Sequence, residues 1–306
     1  MSAAYALQIA LNASVVSALY GLLAVSYVLV HGITRRVNLA FGALSVWSGY
    51  LLINLALYFM LWNPGLILLP LLGAAGYALI STTLVGLVSE RLVVRPLVRS
   101  GALAMLVATL GLSIALEELM RLQNSSAESW LMPLYSEPIV LDAVNGVTTR
   151  PVQIFVCVAA LLLAAAISYA IEKLPFGRRW RAVSQDLAMA ELCGVDVGRT
   201  LSITFAVASC SAACAGALSA LYYGQASFSS GLLIGLKTLF VAVIGGLDSV
   251  GGAFIAALLL GAFETFWSGY FSEEWRDAIT LAGLTALMIF FPSGIFVGAK
   301  RREDLR

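Results

Sequence analysis

Hydrophobic residues in this chain come in long unbroken runs, at 7–30, 37–61, 66–88, 101–121, 151–171, 200–223, 232–246, 252–271 and 277–297, separated by short polar or basic segments. A helical run of about 20 residues crosses a hydrocarbon layer ~30 Å thick. Inside that layer every backbone N–H and C=O needs an internal partner, which leaves α-helices or closed β-barrels. Barrel strands alternate apolar and polar positions. These runs are continuous and rich in Leu and Ala, so the pattern predicts an all-α polytopic membrane protein with about eight or nine transmembrane helices. The seventh run is short, which suits a re-entrant or half helix paired with the eighth.

Composition agrees. Of 306 residues, 60% are hydrophobic and 11% charged, and the mean hydropathy is +0.93. A soluble domain carries about 25% charged residues, and so few charges cannot cover a globular surface. The whole chain, 1–306, reads as one membrane domain. Its start, Met-Ser-Ala-Ala-Tyr, has no basic segment, and no cleavage site follows the first run, so that run reads as an uncleaved span. A net charge of +1 with no basic, aromatic-laced stripe gives no reason to expect a nucleic-acid partner.

The positions of the charges orient the chain. Arg35 and Arg36 follow the first span; Arg91, Arg95 and Arg99 follow the third. Lys173, Arg178, Arg179, Arg181 and Arg199 follow the fifth, and Lys300, Arg301, Arg302 and Arg306 form the tail. Fourteen of the 18 basic residues thus fall on one side. Lys and Arg are retained on the cytoplasmic face, which predicts an N-terminus outside and a C-terminus inside. Glu128, Glu137, Asp142, Glu273, Glu274 and Asp277 lie opposite. The sizeable outer loop is 122–150, with Trp130 and Tyr135 suited to the interface, Pro133 and Pro138, and a chance-level glycosylation triplet at Asn124-Ser125-Ser126.

Candidate chemistry is sparse. Four cysteines (Cys157, Cys193, Cys210, Cys214) lack metal-site spacing and read as packing residues. His31, the only histidine, begins the first basic turn and reads as interfacial. No catalytic set, metal site or ATP-binding loop is evident.

Three features suggest mechanism. The basic loop 173–199 contains a helix-favouring stretch from Arg178 to Cys193, with Pro175 and Gly177 before it and Gly194 as its stop. Val183, Leu187 and Ala190 share one face, while Arg179, Gln185, Asp186 and Glu191 lie mostly elsewhere. Such a helix either contacts a cytoplasmic partner or lies on anionic lipid. Glycines cluster around spans seven and eight: Gly231 and Gly235 allow close helix contact, Gly73, Ala74 and Gly76 do so less regularly, and Gly245-Gly246 with Gly251-Gly252 reads as a tight turn. Finally, Lys237 and Glu264 lie inside spans joined by that turn, about 12 and 15 residues from its centre, a difference of ~5 Å that a lysine stem covers. An intramembrane charge seeks a partner, so they either pair or Lys237 reaches the interface alone.

Four stretches together resemble the LivH-type permeases of branched-chain amino acid ABC importers. They are Asn38-Leu-Ala-Phe-Gly42; Glu90-Arg91 with Arg95-Pro-Leu-Val-Arg99 and Ala108-Thr-Leu-Gly-Leu-Ser113; Gly177-Arg-Arg-Trp-Arg-Ala182 with Gln185-Asp186, Met189-Ala190 and Gly194-Val-Asp196; and Gly235-Leu-Lys237 with Gly245-Gly246, Ser249, Gly251-Gly252-Ala253 and Pro292-Ser-Gly294-Ile. They span nearly the whole chain in order. The resemblance implies a permease subunit in the bacterial inner membrane. Its implied partners are a second permease (as hetero- or homodimer), two cytoplasmic ATP-binding subunits and a periplasmic solute-binding protein. The chain itself needs no cofactor, since the partner subunits bind ATP. Loop 173–199 would be the ATPase-coupling element, with Gly177, Arg181, Asp186, Ala190 and Gly194 on family positions. Asn38, Phe41, Gly42, Lys237, Gly245, Gly246 and Glu264 are pathway or packing candidates. The family usually has His where this chain has Phe41; an apolar ring there bears on the substrate, and relatives also carry urea, amides or small organic acids. Two other classes compete: a membrane-embedded transferase, which would want clustered His, Asp or Arg at one interface, and a secondary transporter, which would want more intramembrane acids than Glu264.

Overall fold

In a computed structural model, residues 3–62, 68–98, 101–123, 129–131, 139–142, 147–246 and 249–290 are described. Arg99, the Asn124 triplet, Glu128, Pro133, Tyr135, Glu137, Pro138, the 292–295 motif and the basic tail lie outside them. Eight helices among the described residues are long and apolar enough to cross a membrane. The chain runs α1 (Ala3–Thr34), α2 (Ala40–Trp62), α3 (Leu68–Ser89), a π-turn (Glu90–Val94) into the one-turn α4 (Arg95–Leu97), and α5 (Ala102–Gln123). It continues through α6 (Pro151–Lys173), α7 (Pro175–Gln185), α8 (Leu187–Leu192), α9 (Val197–Tyr223), α10 (Gly231–Gly245), α11 (Val250–Tyr270) and α12 (Arg276–Phe290). The ninth hydrophobic run is therefore described only in part, as α12.

The first helix is the centre of the bundle. It is apolar all round, as a helix buried on every side should be, and α6, α9, α10 and α11 pack against it. The second helix sits beside it, between α3, α5, α9 and α10. The periphery turns apolar side chains outward: Leu72 and Leu84 on α3, Leu103 and Ile114 on α5, Phe155 and Leu162 on α6. An outward apolar face is what lipid solvates.

Hydrophobicity gives helices in lipid no reason to associate, so close backbone contact takes over. A Cβ at Gly42 would collide with the Gly231 carbonyl and the Gly235 backbone, so α2 and α10 cross backbone to backbone. At the α2–α9 crossing, Gly216 lies against the Ser45 carbonyl, and a Cβ on Gly49 would lie 2.9 Å from the Gly216 carbonyl oxygen. The expected contact at Gly73 and Gly76 is absent: a Cβ added at either would meet nothing within 4 Å, and Ala74 is the buried member of that group.

Short strands close one end of the bundle: β1 (Ser129–Trp130) pairs with β4 (Gln225–Ala226), and β2 (Ile139–Asp142) with β3 (Val147–Thr149), all antiparallel. Ser129 meets Asn54 of α2 there. The short seventh run does not begin at that level. After β4 the chain passes a 3-10 turn, Phe228–Ser230, and α10 starts beside Ala43, ~17 Å further along α2. The run is a broken helix: a 3-10 turn at Phe228–Ser230, then the 15-residue α10 ending at Gly245, which together make one of the eight candidate spans. Gly246, at φ 96, leaves the helix in a conformation that disfavours side chains.

Candidate functional site

The basic segments gather at the other end. Arg35 donates to the Ser184 carbonyl, Trp180 Nε1 to the Leu29 carbonyl at 3.0 Å, and Arg95 to Ser202 and the Gly198 carbonyl. Loop 173–199 is an elbow rather than the single helix expected from Arg178 to Cys193. Leu174 is extended, Pro175 opens α7, and Asp186 breaks it at φ −151. The Asp186 carboxylate then accepts from Ala188 N (2.9 Å) and Met189 N (3.1 Å), capping α8. Asp competes for backbone donors in this way, and so favours caps over helix interiors. Gly194, at φ 80, ends α8 as its position suggested.

The family-motif residues hold the elbow together. Gly177 lies against the backbone of Ile171, Arg181 donates to the carbonyls of Ile171 and Glu172 at the end of α6, and Ala190 is buried with Val183 and Trp180. The face that an interfacial helix would give to lipid is thus occupied by the bundle itself. Among the large apolar side chains of the elbow, the two at the tip of α8 are the most exposed, Met189 at 60% and Leu192 at 82%. The sequence reading named Met189 only within a family stretch and did not single out Leu192; their signal was an i, i+3 apolar pair lying off the buried face.

In the middle of the bundle, Lys237 and Glu264 are brought together. Nζ lies 2.5 Å from Glu264 Oε1 and 2.7 Å from Asp277 Oδ1, with Lys237 only 2% exposed. Tyr20 donates to the second Glu264 oxygen at 2.8 Å, and Arg276 Nε reaches Asp277 at 3.2 Å. Lys237 does not reach an interface. Asp277, grouped by sequence with the outer charges, stands in the first turn of α12, where a carboxylate also suits the helix dipole. Four elements (α1, α10, α11, α12) meet in this cluster.

The remaining candidates cap or pack. Asn38 Oδ1 accepts from Ala40 N at 3.0 Å, opening α2. Phe41 is fully buried between Tyr27 and Phe205, at ring distances of 5.5 and 6.1 Å. Gly42 forms the α2–α10 crossing, and Gly245 rests on the backbone of Gly252 and Ala253. A crevice at the basic end, too narrow to hold a water molecule, is lined by Tyr27, His31, Arg36, Asn38 and Leu239. Glu117, absent from the sequence reading, accepts from Leu232 N at 2.8 Å and so caps the start of the broken helix. All four cysteines are free, and Cys193 and Cys210 are exposed rather than packed. No group of three metal-ligating side chains occurs among the described residues.

Eight membrane-length helices with apolar outward sides, enclosing a buried ion-paired cluster, define a multi-pass membrane protein. The chain belongs to the family described as the permease component of branched-chain amino acid transport systems, whose family model matches residues 9–291. It is 31% identical over 294 residues to the high-affinity branched-chain amino acid transport system permease protein BraD of Pseudomonas aeruginosa, covering 94% of this chain and 95% of that one. It is also 31% identical over 299 residues to the permease protein LivH of Escherichia coli K12, covering 95% of each. The autoinducer 2 import system permease protein LsrC of Klebsiella pneumoniae matches 45% of this chain and 41% of its own length, at 32% identity. No solved structure gives a significant match.

Proposed function

We propose that this chain forms half of the membrane pathway of an ATP-driven importer of branched-chain amino acids in a bacterial inner membrane. A second permease, as homo- or heterodimer, would complete the pathway. Two ATP-binding subunits would dock at the basic, cytoplasmic end, and a solute-binding protein would deliver substrate at the strand-capped end. Near full-length similarity to BraD and LivH supports the substrate class. Collection of the described basic loops at one end supports the orientation.

The observation that carries the ATPase part is the elbow. Its inner face is fixed by Trp180, Arg181 and the Asp186 cap, while Met189 and Leu192 are held out of the bundle on a rigid support. An exposed apolar pair on a fixed helix at the aqueous end fits a groove on a cytoplasmic subunit. Co-purification of the tagged permease with its ATPases tests this. Leu192→Asp should abolish recovery of the ATPases while leaving permease yield unchanged; full recovery with Leu192→Asp would contradict the assignment.

A further inference from the structure

Glu90 is completely buried. It stands where α3 gives way to the π-turn, a helix irregularity that recurs at functional sites. Both its carboxylate oxygens are used: Oε1 accepts from Arg95 Nε at 2.9 Å, and Oε2 accepts from Ser202 Oγ at 2.9 Å. Arg95 then reaches across with Nη2 to Ser202 Oγ (2.8 Å) and the Gly198 carbonyl (3.1 Å). Gly198 and Ser202 lie one turn apart at the start of α9.

That start is joined closely to the elbow. Val195 N bonds the Ala190 carbonyl at 3.0 Å, and Asp196 caps α9 through Arg199 N at 2.9 Å. A displacement of α8 therefore passes directly into the first turns of α9. There the Glu90–Arg95 fork meets it, and the π-turn behind the fork packs on both α3 and α5. An apolar contact of similar size would hold these elements with less desolvation cost but would let them slide. A planar guanidinium fork fixes register.

We propose that Glu90 and Arg95 are positioning residues for transport: they bind the end of α3 and the start of α9 into one moving body. Motion delivered at α8 then enters α3 and α5 as well as α9. This rests on the functional reading above, in which an ATPase drives α8.

The test uses the complete transporter in proteoliposomes, with the four native cysteines replaced by alanine. Spin labels at Leu92→Cys on the π-turn and Arg199→Cys on the first turn of α9 sit on exposed positions either side of the fork. The distance between them should stay within about 2 Å between nucleotide-free and ATP-trapped states, since one body moves rigidly. Arg95→Met should broaden that distance and lower uptake per ATP hydrolysed about tenfold, with assembly and hydrolysis retained. If Arg95→Met does not assemble, Ser202→Thr should keep coupling and its isostere Ser202→Val should lose it. A wild-type distance changing by more than about 5 Å (one helical turn) would overturn this inference alone. So would uptake and hydrolysis falling in equal proportion, or equal coupling in Ser202→Thr and Ser202→Val. Absence of ATP-dependent uptake in the unsubstituted complex would overturn the functional reading and this inference with it.

Discussion

At the scale of single residues, Lys237 shows how a buried charge is made tolerable. Its ammonium sits between two carboxylates, one of them tied to a tyrosine hydroxyl and the other to an arginine. Removing the cation alone would strand buried Glu264, a loss of about 3–5 kcal/mol for a buried pair broken on one side. Asp277, with a side chain 38% exposed, keeps water and Arg276, so Asp277→Asn should cost about 1 kcal/mol or less. Thermal unfolding in detergent should rank Lys237→Met as the most damaging, Glu264→Gln next and Asp277→Asn least; equal losses for Lys237→Met and Asp277→Asn would contradict the burial argument. The Lys237–Glu264 contact was legible because helical rise fixes how far each lies from the shared turn. Asp277 was not, because where α12 begins relative to α10 is a tertiary fact. Glu117 escaped for the same reason: a carboxylate in a span signals a partner, but nothing local says that the partner is the backbone N–H of Leu232.

At the scale of elements, span positions followed from run length; the seventh run, short enough to suggest a re-entrant or half helix, gains a 3-10 turn at Phe228–Ser230 and becomes one of the eight helices long enough to cross. What sequence could not fix was which glycines meet which backbone. Gly231 and Gly235 do form a close crossing, but their partner Gly42 lies nearly two hundred residues earlier, and Gly216 gave no local sign of its role. Gly216→Leu should prevent folded permease from accumulating, since the Ser45 carbonyl occupies the space, whereas Gly73→Ala should be neutral or stabilising by up to about 1 kcal/mol through helix propensity. Membrane yield and thermal midpoint check both; a folded Gly216→Leu would contradict the crossing. The elbow teaches a similar lesson. Helical composition from Arg178 to Cys193 hid the break, because one weak helix former such as Asp186 among good ones does not by itself end a helix, yet it caps strongly once the chain turns there. Asp186→Ala should cost about 1 kcal/mol, seen as faster amide exchange confined to α8; unchanged exchange at Ala188 and Met189 would deny the cap.

At the scale of the molecule, the basic loops at one end, the strand-capped opposite end and the broken helix between them give a direction to the bundle. That direction suits a subunit driven from the basic end and loaded from the other. The most direct test is uptake of labelled leucine into proteoliposomes containing this permease, its second permease and both ATPases, with the solute-binding protein outside and ATP inside. Uptake that requires internal ATP, both ATPases and the binding protein is the predicted result. Leucine uptake by this permease without the ATPases, or no leucine uptake by the complete assembly, would contradict it.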